Sequence, residues 1–315
     1  MTSYGTIAAA IPGDLLATVK WAKAGSKFTG FVGTFSVFGA LGFWLVRWRM
    51  QDWLATMESS AAHTIRPAFA RVDRRAAFIG EIGAWLLLAE FAAIAWRSLA
   101  ASHGGMSVGK LADPEDYAQL VLAPGLIIAF WFATKGRRGG WWAALVLGGA
   151  LAIRHVVTGR WQALVSPLHG ASAALWLGTL FVIVAAALPV IMREPVAPRL
   201  RGPIVAALVV RYSPLALLAA GWLGLSGLLA SWLKLKYLAA LWTTPYGRML
   251  IIKLGFVACI VVMGALNWRR VLPSLGTETA AAKLGRVSRW ELVFALIVLV
   301  VTAVLVGTPP PKLPT

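Results

Sequence analysis

Near its end the chain reads Leu292-Val-Phe-Ala-Leu-Ile-Val-Leu-Val-Val-Thr-Ala-Val-Leu-Val306, a stretch without a charged residue. A helix needs roughly 20 mostly apolar residues to cross a hydrocarbon core about 30 Å thick, and this stretch with its flanks reaches that length. Similar stretches recur along the chain, separated by short basic linkers. Since 59% of the 315 residues are hydrophobic and only 13% are charged, we predict an all-α, polytopic integral membrane bundle.

The sequence predicts about eight membrane-spanning helices, with limits at 27–46, 76–98, 116–133, 141–157, 164–191, 203–233, 246–268 and 289–307. We expect the long fifth and sixth helices to tilt or kink, and Pro124 and Pro214 are the expected kink points. The sixth helix also carries small residues that predict close approach by a neighbouring helix, namely Gly221, Gly224, Ser226 and Gly227. The predicted organisation is an outer, interfacial N-terminal segment, two four-helix halves and a Pro-rich tail, at 1–26, 27–157, 158–307 and 308–315.

The basic residues are distributed unevenly between the two ends of this predicted bundle. More than half of the 30 Lys and Arg residues lie in four alternate loops, at 47–75, 134–140, 192–202 and 269–291. Cytoplasmic loops of membrane proteins carry such an excess, so we predict these loops in the cytoplasm and both termini on the outer side. The same distribution accounts for the net charge of +18, and we expect a lipid bilayer and no nucleic acid as partner.

Ionisable side chains inside the predicted helices are the first candidates for function, because burying them in lipid is costly. They are Glu81, Glu90, Arg211 and Lys253. Glu81 and Glu90 are nine residues apart, about 900° of helical rotation, so they face opposite sides and do not form a dyad. By depth, we expect Glu81 to pair with Arg211 and Glu90 with Lys253. Structural ion pairs and a cation or proton path both remain open.

The histidines predict a candidate metal site at the outer side. His103 lies in an outer loop, His155 near the outer end of the fourth helix and His169 near the start of the fifth. About five residues join these two helices, so the helices are antiparallel neighbours and His155 can approach His169. Imidazole binds borderline metals, and a thioether such as Met106 or Met249 favours Cu(I). The combination suits copper, while ordinary packing histidines are the alternative.

The sequence contains no recognisable catalytic motif. Cys259 is the only cysteine, so disulfides, CxxC motifs and covalent haem attachment are excluded. There is also no HExxH motif and no glycine-rich phosphate loop, and we expect a protein that is not an enzyme. Two alternatives to copper handling remain. One is electron transfer through a b-type haem held by His155 and His169, and the other is a structural or assembly subunit of a larger membrane complex.

Four stretches between residues 160 and 275 follow one another in a distinctive order. They are Ser166-Pro-Leu-His169-Gly-Ala-Ser-Ala-Ala-Leu-Trp176-Leu-Gly178-Thr-Leu180, Arg211-Tyr-Ser213-Pro-Leu-Ala, Thr244-Pro-Tyr246-Gly-Arg-Met-Leu-Ile-Ile-Lys253-Leu and Gly264-Ala-Leu-Asn267-Trp-Arg-Arg-Val-Leu-Pro273. This half resembles the copper resistance protein D (CopD) family of bacterial inner-membrane proteins. The resemblance implies an eight-helix protein that passes copper across the inner membrane together with a periplasmic copper-binding protein. It also implies that His169 is the family's helix-start histidine, and that Lys253 and Asn267 are its polar helix positions.

Overall fold

A computed structural model describes residues 17, 19–57, 59–101, 114–154, 162–193, 196–235, 238–270 and 276–308. No β-strand is found in this described part of the chain, so the all-α prediction is confirmed. The helices are α1 (Trp21–Trp48), α2 (Gln51–Ala55), α3 (Ser59–Ala101), α4 (Pro114–Thr134), α5 (Arg138–Ile153), α6 (Gln162–Ala173, Thr179–Val182 and Leu188–Ile191), α7 (Pro198–Lys234), α8 (Ala240–Thr243), α9 (Pro245–Arg270) and α10 (Glu278–Gly307). Two π-helical turns, Ala174–Gly178 and Ile183–Ala187, join the three parts of α6.

Seven of the described helices are long and apolar enough to cross a membrane, which confirms the polytopic bundle. An eighth apolar helix, α5, occupies the position of the fourth predicted span and has 16 residues. At 1.5 Å per residue α5 rises about 24 Å, slightly less than the hydrocarbon thickness. A short turn joins α5 to α4, and the two helices pack together.

The prediction that the inner basic segments are loops is partly wrong, because much of their length is helical. Helix α3 begins at Ser59 instead of residue 76, and α10 begins at Glu278 instead of residue 289. Water at the membrane surface solvates Lys and Arg, and both residues favour helical backbone. Hydropathy predicts where a helix enters or leaves the lipid. It does not predict where the helix itself begins, and these two helices extend beyond the membrane.

Contacts between neighbouring helices show which of the connecting segments lie at the same end of the bundle. At one end, Nε of Arg211 donates to the carbonyl of Arg49 at 2.8 Å, and Nη1 of Arg201 donates to Oε1 of Glu278 at 2.6 Å. We call this the inner end, because it carries the loops predicted to be cytoplasmic. At the other, outer end, the backbone N–H of Lys20 donates to the carbonyl of Gly307 at 3.1 Å. The first and last helices therefore meet.

Helix α1 lies at the centre of the bundle. It packs against α3, against α6 including its first π turn, and against α10. A Cβ atom built on Gly39 would lie 2.5 Å from the carbonyl carbon of Gly178, so the backbones of α1 and α6 are in contact. Helix α1 thus contacts elements from both predicted halves, and the division of the chain near residue 158 stays a prediction.

The outward faces of the helices are strongly apolar. Val121 is 74% exposed, Leu217 is 76% exposed and Trp232 is 82% exposed. Exposing an apolar surface of this extent to water is unfavourable, whereas contact with lipid chains is not. The surroundings of the bundle are therefore a lipid bilayer, as predicted.

Candidate functional site

His169 is held at the outer end of α6 by a short hydrogen-bond chain on α7. Its Nδ1 lies 3.1 Å from Oγ of Ser226, and this hydroxyl lies 2.6 Å from the carbonyl oxygen of Trp222. The hydroxyl of Ser226 donates to the Trp222 carbonyl and accepts from Nδ1–H of His169 when the imidazole carries its hydrogen on Nδ1; in the other tautomer Nδ1 accepts from the hydroxyl. In the first tautomer the lone pair is on Nε2, a nitrogen through which imidazole binds metals.

The local sequence of α7 provides the space for this imidazole. Ser226 is buried, with 8% of its surface exposed, and the next residue is Gly227. A Cβ atom on Gly227 would lie 3.0 Å from Cε1 of His169, closer than ordinary side-chain contacts. The histidine ring therefore lies against the backbone of α7 at Gly227, as predicted, whereas a Cβ atom on Gly221 or Gly224 would meet nothing within 4 Å.

The other three predicted metal ligands, His103, Met106 and His155, lie outside the described residues. Among the described residues, no group of three or more His, Cys, Asp or Glu side chains forms a metal site. Met249 is 7% exposed and belongs to an apolar cluster at the outer end, beside Tyr246. His169 is thus the predicted ligand whose surroundings the structure describes.

Glu90 is a buried carboxylate of α3 near the outer end, and the prediction that it pairs with Lys253 is wrong. Its Oε1 lies 2.9 Å from Nζ of Lys27 on α1. Nε2 of Gln119 on α4 donates both to Oε2 of Glu90 at 3.2 Å and to the carbonyl of Leu87 at 2.7 Å. The reason is the central position of α1, which places Lys27 beside α3, while α9 packs mainly against α8 and α10.

The predicted pair between Arg211 and Glu81 is also wrong. Nε of Arg211 donates to the carbonyl of Arg49, and Nη1 donates to the carbonyl of Ala207 at 3.2 Å. The last carbonyls of a helix lack intrahelical hydrogen-bond partners, and a positive charge near this end stabilises the helix. Arg211 therefore caps the end of α1. Within the described part of the chain, Glu81 forms no ion pair.

Glu291 on α10 is a buried carboxylate that the sequence analysis missed. It is 5% exposed, and Nδ2 of Asn267 on α9 lies 3.4 Å from its Oε1. Glu291 falls in the overlap of the predicted inner loop 269–291 and the last predicted span, 289–307. Because α10 already begins at Glu278, Glu291 lies well inside the helix. Its position directly before the apolar run from Leu292 was the available signal.

Tyr212 lies on α7, which packs against both α6 and α10. Its hydroxyl donates to the carbonyl of Trp176, in the first π turn, at 3.0 Å. Trp176 is seven residues beyond His169, about 10 Å deeper along α6. Asn267 lies three residues before the inner end of α9. We call His169, the Trp176 carbonyl, Tyr212, Glu291 and Asn267 the polar series.

The members of the polar series lie at different depths between the outer and the inner part of the bundle, on α6, α7, α9 and α10, and their hydrogen bonds form separate contacts. Oδ1 of Asn267 is buried and makes no hydrogen bond within the described residues, so it is able to accept one. Lys253, which was also predicted as a polar helix position, is half-buried on α9. Buried polar groups at membrane depth are costly and mark paths for ions or protons.

The helices and the polar series together define a multi-pass helical membrane protein with ionisable groups in its interior. Residues 206–305 match the family model of copper resistance protein D, CopD. The C-terminal half therefore contains a segment similar to the CopD family, as the resemblance predicted; the matched segment begins at residue 206 instead of 160 and extends beyond residue 275. It includes Tyr212, Ser226, Asn267 and Glu291, while His169 precedes it. No curated protein and no solved structure matches the chain.

Proposed function

We propose that the protein handles copper, and that His169 is a copper ligand at the outer face of the membrane. The observation that supports this most directly is the hydrogen-bond chain from His169 through Ser226 to the Trp222 carbonyl. Histidines that bind metals usually donate their other ring N–H to such a partner, which fixes the tautomer and orients the ring. The match to copper resistance protein D over residues 206–305, which include Ser226, supports copper as the metal.

The remaining ligands in this proposal are His155, His103 and Met106, from connections predicted at the same end of the bundle. Imidazole and thioether donors suit Cu(I), which is a soft cation. The proposal also places the protein in the inner membrane of a bacterial cell, where a periplasmic copper-binding protein delivers the ion.

His169→Ala is expected to weaken Cu(I) binding by the purified protein at least about a hundredfold, because it removes a direct ligand. Ser226→Ala is expected to weaken binding roughly tenfold, because the ring loses the partner that orients it. Competition with a chromophoric Cu(I) chelator measures both affinities. His63→Ala is the matched control, because His63 is exposed on α3. Unchanged affinity in His169→Ala would show that this site is wrong.

We further propose that Glu291 and Tyr212 move charge through the inner part of the bundle when copper is transported. Their oxygen atoms suit protons better than they suit Cu(I). Glu291→Gln is expected to lower copper uptake into proteoliposomes about tenfold or more and to leave the Cu(I) affinity at His169 unchanged. Glu81→Gln, on the half-exposed carboxylate of α3, is expected to leave uptake near that of the parent protein. Equal uptake by both variants would contradict this role of Glu291.

A further inference from the structure

A basic cavity opens at the inner end of the bundle, between α1, α2, α3 and α5. Its volume is about 440 Å³, and its lining residues are Arg47, Gln51, Leu54, Ala55, Arg66 and Arg138. Three of the six carry a positive charge and none is acidic. The cavity therefore has the electrostatic character of an anion site.

The charge of these arginines is only partly compensated. Nε of Arg47 lies 3.7 Å from Oδ1 of Asp73, and neither atom makes a hydrogen bond within the described residues. The guanidinium of Arg47 also lies 4.1 Å from the ring centroid of Phe69, which fixes its position. Arg66 and Arg138 are exposed and form no ion pair in the described part of the chain. Within the described residues, the contact of Arg47 with Asp73 is thus the one ion pair that these three arginines form.

Tryptophans place this cavity at the level of the lipid headgroups. Trp44 of α1 stacks on Trp141 of α5 with ring centroids 5.9 Å apart, and Trp48 contacts Trp142 edge-on at 6.3 Å. Trp side chains of membrane proteins concentrate at the interface between hydrocarbon and water. Arg47 lies between Trp44 and Trp48 in sequence, so the basic lining is at the same depth.

We propose that this cavity binds the phosphate-bearing headgroup of an anionic phospholipid from the inner leaflet. Guanidinium groups match phosphate oxygens in bidentate geometry, and basic pockets between membrane helices on the cytoplasmic side suit anionic headgroups. Gln51 adds an amide donor, and Leu54 and Ala55 provide apolar contact for the glycerol region. The occupant is a lipid and not a soluble phosphate, because the cavity lies within the tryptophan belt.

Arg66→Gln combined with Arg138→Gln tests this site. Both side chains are exposed, so the fold is expected to tolerate the change. Native mass spectrometry of the protein, purified with added phosphatidylglycerol, measures the bound lipid. We expect the adduct to fall roughly tenfold or more relative to the parent protein, because two guanidinium contacts are lost. Phosphatidylcholine, which has no net charge, is expected to form little adduct with either protein.

Arg199→Gln combined with Arg286→Gln is the matched control, because it removes two exposed charges elsewhere at the inner end. This variant is expected to retain the phosphatidylglycerol adduct within about twofold. An equal loss in both double variants would overturn the proposal in favour of general surface attraction. Titration with inorganic phosphate distinguishes the source of the anion. Competition by millimolar phosphate that removes the lipid completely would overturn the lipid assignment and indicate a soluble anion.

Discussion

Gly178→Leu is expected to prevent assembly of the bundle. A Cβ atom on Gly178 would overlap the carbonyl oxygen of Phe35 on α1 and would lie 3.1 Å from Cα of Gly39. These are backbone atoms of a central helix, and they cannot rotate away as a side-chain end does. Overpacking a core costs about 1–3 kcal/mol even where neighbours adjust, and here the two helices must separate. We expect a larger loss than this range.

The measurement is the yield of monodisperse protein after solubilisation in mild detergent, followed by size-exclusion chromatography. Gly170→Leu is the control on the same helix, since a Cβ atom at Gly170 meets nothing within 4 Å. It introduces the same side chain in open surroundings and is expected to give the yield of the parent protein. If the two variants behave alike, the contact between α1 and α6 is not as close as described.

Lys27→Met is expected to lower the free energy of unfolding by about 3 kcal/mol. Removal of one partner from a buried ion pair leaves the other charge uncompensated, which is the costly part. Glu90 is only 5% exposed, and Gln119 would be its remaining polar partner. Combining Lys27→Met with Glu90→Gln removes both charges, so we expect the double variant to recover most of the lost stability.

Unfolding by titration with a denaturing detergent, followed by tryptophan fluorescence, measures these differences. The pair between Arg201 and Glu278 provides a comparison, because the Glu278 side chain is 42% exposed. Glu278→Gln is expected to change the stability by less than about 1 kcal/mol, as is typical of exposed ion pairs. A double variant less stable than Lys27→Met alone would contradict the view that the unpaired carboxylate carries the cost.

The positions of the membrane helices could be predicted from the sequence, because residence in lipid depends on the residues of each segment alone. The partners of the buried charges could not. Glu90 pairs with Lys27 because α1 occupies the centre of the bundle. The sequence of a single segment does not predict which helix will be central. Lys27 is the first residue of the predicted span 27–46, and at such an edge hydropathy alone indicates solvation and not an ion pair.

Some residues of the candidate site could also be predicted from the sequence, but their contacts with other helices could not. The family resemblance predicted His169 and Asn267 as polar positions of the helices. The small residues of α7 predicted the close approach at Gly227. Ser226 was noted only as a small residue, because its hydroxyl acquires a role through contact with another helix. Glu291 lies within the predicted span 289–307, but its burial depends on the packing of α9 against α10, which no local sequence pattern predicts.

The central position of α1 also bears on biosynthesis. Gly39 of α1 packs against Gly178 of α6, which the ribosome adds more than a hundred residues later. At ordinary rates of translation this interval lasts roughly ten seconds. During that time α1 has α3 and then α5 as neighbours, and its remaining surface must be covered by lipid or by an insertion factor. A nascent chain that stops before α10 would keep part of that surface open, and we expect membrane quality control to degrade it.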